Sequence, residues 1–479
     1  MSVLGILYWL SRIIAIIAII HVVLDNRQPA KTMAWALVIY FLPIFGVIAY
    51  IFFGVNRRKE RFISRRSMDM LTKRSMLEFV EQRHTDLPAA YESSISLFSR
   101  QSFSMPFINK RTDILTNGYE FFPLLLRDIA AAKSHIHIDM YIFEDDALGL
   151  LISDALIAKA RQGVEVRIIY DDVGSWKVKK HFWERMRDEG IDLEPFLRVR
   201  FPRFTSHVNY RNHRKIIVID GSVGYIGGMN VALRYVKGVM GSKGKSGGVM
   251  KGWRDTMLRI EGGAVNGLQQ TFLVDWYFVD RTLLTDRKYY TKPEDEGGLM
   301  QTVTSGPVST YPEIMQGYLS IIMSARRYIW FETPYFLPPD AVLLAMKTAA
   351  ASGVDVRLLV PRCNDAYLVD WASRSYLREA SEAGIQVCFY EGGFLHSKLM
   401  VCDDAVCTCG STNLDFRSFE NNFEANAFIY DEDVARRMRD VYLEDEKKSV
   451  PFTSLPDRFA PSFLQRIWDS LTRLFSPLL

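Results

Sequence analysis

A chain of 479 residues, 48% hydrophobic and 24% charged, buries more than one large core and is globular rather than disordered. Its net charge of +4 says little by itself about partners. The five cysteines, Cys363, Cys388, Cys402, Cys407 and Cys409, are odd in number and contain no C-x-x-C pair, which argues against a disulfide framework and fits a reducing compartment.

In chain order, the first apolar segment runs from Val3 to Leu24. Arg12 near its middle costs roughly 2.5–3.5 kcal/mol in a bilayer unless it snorkels or finds a partner. The segment reads as a span or as a helix lying at the interface. A cleavable signal is disfavoured, because no basic stretch precedes the run and no small-residue cleavage site follows it. The second segment, Thr32 to Val55, has 24 uncharged residues. One continuous helix of that length crosses a hydrocarbon core of roughly 30 Å, even with Pro43 and Gly46 inside it. Together the two segments predict a membrane hairpin over residues 1–55. Asn56 to Arg66 then carries six basic residues against one acid. The positive-inside rule therefore places both chain ends, and everything after Asn56, in the cytoplasm, with the basic run facing anionic headgroups.

After a basic linker (56–110), the rest reads as an internal repeat over 111–290 and 291–452. The run from Ser134 and the run from Arg326 each begin with a strand ending at a tyrosine, Tyr141 or Tyr335. Each continues helix, strand, helix, strand, which predicts two α/β domains with parallel or mixed sheets. Each repeat ends in the same unit, H-x-K-x4-D-x6-G-[GS]-x-N. The first copy is His213, Lys215, Asp220 and Asn230; the second is His396, Lys398, Asp403 and Asn413. One H-x-K-x4-D is weak as a signal; two copies with one downstream extension, inside a repeat, are not chance.

His and Lys at i and i+2 point to one side of a strand. Two repeats packed face to face bring two imidazoles and two ammonium groups into one pocket, with the Asn amides as further donors. Such a pocket suits a phosphodiester, whose negative charge grows in the transition state. One imidazole attacks phosphorus while the other protonates the leaving oxygen, then activates an acceptor hydroxyl. Each imidazole needs an orienting carboxylate. The candidates are Asp255 in "GWRDTMLRI" and Glu424 in "NNFEANAFI", while Asp220 and Asp403, grouped with the His and Lys residues in the catalytic set, stand farther off at the far ends of their strands. Metal ligation is disfavoured, because Lys is a poor ligand and no metal-spaced cluster occurs. The pair His135 and His137 has no counterpart in the second repeat and reads as β packing. Cys407 and Cys409 read as packing on one strand face, with zinc ligation as the weaker alternative.

These residues resemble the phospholipase D superfamily, defined by paired H-x-K-x4-D motifs, and within it the bacterial cardiolipin synthases. The likeness extends over the N-terminal "PAKTMAW" and "LPIFGVIAYIFFG", "WRDT", "NFE" and the tail "LFSPLL". It implies transfer of a phosphatidyl group from one phosphatidylglycerol to another, giving cardiolipin and glycerol through a phosphohistidine, without nucleotide, metal or other cofactor. It also implies His213 as nucleophile and His396 as acid and base. The implied setting is a bacterial inner membrane, with phosphatidylglycerol and anionic lipid as partners, no nucleic acid, and a homo-oligomer left open. The glycine- and lysine-rich Lys237 to Gly252 departs from the pattern and reads as a loop near the lipid surface or as an insertion. The tail (453–479) puts Leu464, Ile467, Trp468, Leu471, Leu474 and Phe475 on one helical face, for docking on the core or, second, for the membrane interface. Two rivals remain at this stage: a phosphodiesterase of the same superfamily using water or another alcohol as acceptor, and a membrane scaffold with a dead site. The two intact motifs disfavour the scaffold.

Overall fold

The computed structural model describes residues 3–25, 29–54, 88, 91–102, 104–199, 210–238, 252–292, 294, 296–455, 460–474 and 476. The basic run Asn56 to Arg66, most of the loop between Lys237 and Gly252, and Phe475 lie outside them. The N-terminal helices form one compact unit and the sheet another.

In the first unit, α1 (Val3–Leu24) contains a stretch, Gly5–Leu24, with mean hydropathy 2.2, long and apolar enough to cross a membrane. Most of its large apolar side chains are exposed, as a lipid-facing helix requires. Arg12 has found a partner. Its Nη1 donates to the carbonyl of Tyr40 at 2.8 Å, and its guanidinium lies over the rings of Tyr8 and Tyr40.

The second segment differs from the single 24-residue helix expected. It divides into α2 (Pro29–Phe41) and α3 (Pro43–Ala49), followed by a π-helical turn, Tyr50–Gly54. Pro43 supplies no N–H and disfavours helical geometry at the residue before it, and Leu42 sits at φ −126°, ψ 69°. Gly46 then lets the chain turn back on itself. A Cβ there would come within 2.7 Å of the Ile39 Cα, an approach open only to glycine. At 13 residues α2 covers about 20 Å, short of a hydrocarbon core. The two arms pack around Ala15, Val22, Ile39 and Tyr50, with Trp35 against the Tyr50 ring.

The second unit is built on one long mixed sheet whose two halves repeat the same strand order. From the join outward the first half runs Phe107–Leu115, Met257–Gly262, Val223–Gly227, Lys215–Ile219, His135–Met140, Glu165–Asp171, Asp192–Phe196. The second runs Gly298–Ser305, Asn422–Tyr430, Val406–Gly410, Leu399–Cys402, Tyr328–Glu332, Asp355–Pro361, Gln386–Tyr390, with Ser449–Pro451 added at its edge. The halves join through an antiparallel pairing of Phe107 with Met300 and Asn109 with Gly298. The strand Val223–Gly227 of the first half then packs against Val406–Gly410 and Asn422–Tyr430 of the second. Both motif strands, Lys215–Ile219 and Leu399–Cys402, are buried along their whole length, as central strands covered on both faces are. Each half has its own aliphatic and aromatic core, one around Ile136, Ile138, Ile217 and Phe143, the other around Ile329, Phe331, Leu358 and Met400.

Asp220 and Asp403 explain the third fixed position of the repeated unit. Both stand just past the end of the motif strand in the left-handed region, at φ 52° and 54°. The Asp220 carboxylate accepts the backbone N–H groups of Lys133, Ser134 and His135 at 2.7 to 3.0 Å. Asp403 does the same for Arg326, Arg327 and Tyr328 at 2.7 to 2.8 Å. Each ties the end of the motif strand to the start of its neighbour, and the carboxylates bonded to His213 and His396 are others, Glu424 and Asp255. Grouped with the catalytic set from sequence, they are anchors of the sheet. Asp220→Ala leaves three backbone donors without their charged acceptor, so we expect a loss of roughly 2–4 kcal/mol of stability. Chemical denaturation checks this. The activity of the protein that remains folded should stay within about threefold of the parent, far from the loss an imidazole substitution brings.

Candidate active site

Two short parallel bridges between the halves create the site. Arg211–Asn212, at the entrance of the first motif, pairs with Asn422–Phe423 of the second repeat. Phe394–Leu395, at the entrance of the second motif, pairs with Trp253–Arg254 of the first. The bonding continues one residue on: His213 N–H donates to the Phe423 carbonyl at 2.9 Å, and His396 N–H to the Arg254 carbonyl at 2.7 Å. Each histidine is thereby set beside the residue that follows in the opposite repeat, Glu424 or Asp255.

The carboxylates are therefore crossed. His213 Nδ1 lies 3.0 Å from Glu424 Oε1 and 3.1 Å from Oε2, and His396 Nδ1 lies 2.6 Å from Asp255 Oδ2. Sequence spacing places Asp255 after the first motif and Glu424 after the second, with nothing to say that each serves the other repeat's imidazole. Ser411 Oγ and Asn422 Nδ2, the latter at 3.2 Å, also donate to Glu424, and the Thr256 N–H donates to Asp255 at 2.8 Å. The variable [GS] position of the repeated unit acts here. Ser411 supplies its hydroxyl to Glu424, whereas Gly228 makes room, since a Cβ there would fall 2.0 Å from Asp255 Oδ1.

Lys215 Nζ donates to the His213 carbonyl at 2.5 Å, and Lys398 Nζ donates to the His396 carbonyl while lying 2.9 Å from its Nδ1. The charges acting on Lys215 include Glu424, Lys398 and Asp255, so both motifs share one electrostatic site. Burial dominates the titration. It pushes His213 down to about 4 and His396 to about 3, with the nearby lysines adding to the effect. Burial likewise pulls Lys215 down to about 7 and Lys398 to about 8, partly countered by the carboxylates. For Glu424 burial acts upward, yet His213 and Lys215 bring it below the ordinary range. For Asp255, Lys398 and His396 do the same. At neutral pH the pairs are thus neutral imidazole against ionised carboxylate. The carboxylate claims Nδ1–H, which leaves the Nε2 lone pair of each ring free.

Aromatic rings wall the imidazoles. Tyr141 stands edge-on to His213 at 4.9 Å, and Tyr335 takes the same place beside His396 at 6.4 Å. His396 is further enclosed by Trp253 at 5.2 Å and Tyr235 at 6.2 Å. The ends of the glycine- and lysine-rich loop meet here, because a Cβ on Gly238 would come within 2.7 Å of the Gly252 Cα, and Trp253 follows directly.

The two asparagines are tied inward. Asn230 Oδ1 accepts from the Ile142 N–H at 3.0 Å and its amide nitrogen donates to the Tyr235 hydroxyl; the Asn413 amide nitrogen donates to Asp415 at 3.1 Å. Both shape the loops around the site, with part of their donor capacity already used. His135 and His137 pack on their strand against Tyr289, His137 stacking on Phe272. Cys407 and Cys409 lie buried on the strand Val406–Gly410, with the Cys409 thiol 3.8 Å from the Thr256 carbonyl.

Sequence reasoning passed over a buried layer of charge beneath the imidazoles. Asn212 donates to Asp139 at 2.6 Å, and Arg214 pairs with Asp275 while its Nε donates to the Glu424 carbonyl at 3.1 Å. Arg254 donates to Asp445 at 2.6 Å and approaches Glu332 at 3.7 Å. By register Asp139 and Glu332 are equivalents, opposite Ile216 and Leu399. Their different side chains, and Ser397 standing where the first motif has Arg214, hid that equivalence from a pattern search.

A family model described as cardiolipin synthase, PLD-like domain, matches residues 125–239 and 318–445, and a phospholipase D-nuclease N-terminal model matches 13–54. The chain is 40% identical to a cardiolipin synthase of Geobacillus sp. (strain WCH70), over 95% of this chain and 90% of that protein. It is 36% identical to the major cardiolipin synthase of Bacillus subtilis (strain 168), with both chains covered completely. Among solved structures, the phosphatidylserine synthase of Haemophilus influenzae Rd KW20 matches with TM-score 0.63 at 15% identity, covering 81% of this chain and all of that one, a likeness of fold.

Proposed function

The chain belongs to the bacterial cardiolipin synthases of the phospholipase D superfamily, which are phosphatidyltransferases, and from that premise we propose how its two motifs carry out the transfer. The observation that carries the reading is the crossed pairing of the two motif imidazoles, each held through Nδ1 by a carboxylate of the opposite repeat.

The phosphodiester of a first phosphatidylglycerol binds between Lys215 and Lys398. His213 Nε2 attacks phosphorus, and the bond from phosphorus to the glycerol oxygen breaks. Glycerol leaves with a proton from His396 Nε2. In the free protein His396 is neutral, and the anionic phosphodiester is what raises its proton affinity, so acid and substrate arrive together. Glu424 stabilises the positive charge that develops on His213. In the second half, His396 accepts the proton of a headgroup hydroxyl on a second phosphatidylglycerol, whose oxygen attacks the phosphatidyl-histidine. Cardiolipin forms and His213 is regenerated. His396 takes up one proton from solvent as the first substrate binds, gives it to glycerol and regains one from the acceptor hydroxyl, so protons and leaving group balance over the cycle.

The expected test result is cardiolipin and glycerol in equal amounts from phosphatidylglycerol vesicles. Mass spectrometry should show a yield unchanged by chelator. Phosphatidic acid as sole product would instead identify water as the acceptor and overturn the transferase reading.

The lysines set the alkaline limit. Lys215, lowered to about 7 by burial, carries its charge below that pH and loses it above. Since kcat/KM reports the free enzyme, it already carries the cost of protonating His396 and should fall more steeply as pH rises through about 7 to 8, while kcat holds to higher pH because bound phosphodiester restores the ammonium. A kcat/KM flat to pH 9 would contradict this assignment.

For topology we propose that α1 spans the inner membrane of the cell and that the catalytic unit lies on the cytoplasmic side. The apolar Gly5–Leu24 stretch and the basic residues from Arg57 onward support this.

A further inference from the structure

The C-terminal helix, Phe463–Arg473, is docked inside out. An amphipathic helix resting on a protein core ordinarily turns its apolar face inward. Here the inward face is polar. Asp469, fully buried, receives a bond from Arg378 at 3.1 Å; Arg473 reaches Glu379 at 2.8 Å and Ser375 at 3.2 Å and lies 4.0 Å over the Tyr376 ring. These partners all sit on the helix Tyr367–Glu382. The apolar face points away from the protein: Leu464 is 77% exposed, Trp468 49% and Leu471 47%, with Phe463, Ile467 and Leu474 beside them. The exposed surface continues onto the supporting helix through Tyr367 and Leu368, and Trp371 meets Trp468 edge-on at 5.6 Å.

We propose that this face is a membrane-docking surface that inserts into the interfacial layer of a lipid bilayer, a second membrane contact made by the catalytic unit itself. Three features commit it to a lipid surface. The ion pairs hold the helix by its polar side, which leaves the apolar side facing away from the core. The outward residues are long aliphatic chains with a tryptophan at the edge, a side chain at home at headgroup depth. Arg466 is exposed on the same helix, where it meets anionic headgroups. The proposal rests on the functional reading in one respect: the substrate is itself a bilayer lipid, so a surface that holds the catalytic unit on the bilayer raises turnover there.

The test uses the full chain reconstituted in vesicles of phosphatidylglycerol and phosphatidylcholine carrying acyl-brominated lipid. Comparison with Trp468→Phe isolates the Trp468 fluorescence. We expect bromolipid to quench it, and Leu464→Glu with Leu471→Glu to remove the quenching in a Trp468-bearing chain. The same double variant should turn over vesicle substrate about tenfold more slowly, yet match the parent on short-chain phosphatidylglycerol in detergent micelles. Unquenched Trp468 overturns the proposal. So does unquenched Trp468 in a protein that is dimeric in detergent and made monomeric by the double variant, since a second copy then covers the face. A parent that makes no cardiolipin in micelles counts against the functional reading alone, because the quenching is read without catalysis.

Discussion

His396→Asn should still release one equivalent of nitrophenol per site from a nitrophenyl phosphodiester, whereas His213→Asn should release none. The phenolate departs without a proton, so the first half of the reaction needs only the nucleophile, while the second half has lost the base that activates the acceptor. Between two phosphatidylglycerols, whose glycerol leaving group does need a proton, both variants should lose roughly 10⁴-fold or more in steady-state transfer. Rapid-mixing absorbance separates the cases. A burst in His213→Asn and none in His396→Asn would reverse the two roles while leaving the two-step mechanism intact.

The crossing of the carboxylates makes a second, sharper expectation. Glu424 lies in the second repeat but holds His213 of the first, and Asp255 holds His396. Glu424→Gln should therefore slow the nitrophenol burst, on the order of 10²–10³-fold, because the imidazole loses both its orientation and the charge that stabilises its phosphoryl adduct. Asp255→Asn should leave the burst rate nearly unchanged and slow the turnover that follows by a comparable factor. Pairing within each repeat predicts the opposite assignment, so the burst rates of the two variants decide between them. Both substitutions conserve volume, and thermal unfolding guards against reading a folding defect as chemistry.

The duplicated α/β organisation and both motifs were legible in the sequence because they depend on local pattern. A strand of Lys215–Ile219 type announces itself by apolar continuity, and the repeat by its spacing. Pairing between halves was not legible. The bridges that set His213 against Glu424 are two residues long and join positions about two hundred apart, which leaves no periodicity to read. The N-terminal region failed for a different reason. Hydropathy averages over Pro43, and the break at Leu42 comes from one missing N–H within an otherwise apolar run. The tail shows a third case. Its apolar face was visible in the spacing, but the direction of that face is set by Arg378 and Glu379, on another helix. Asp220 and Asp403 were grouped with the catalytic set because the motif contains them, and their work became visible only once the backbone groups they hold were known.

Because each imidazole borrows its carboxylate from the opposite half, neither half holds a complete catalytic pair. An ancestral single repeat would have owned this site only as a symmetric couple, with gene fusion later making the association permanent. The two halves are no longer identical at the site, with Gly228 against Ser411 and Arg214 against Ser397. It follows that a chain crippled at Glu424 and one crippled at His213 carry damage to the same catalytic pair from opposite ends of the gene. Mixing the two cannot restore function unless the halves exchange between molecules.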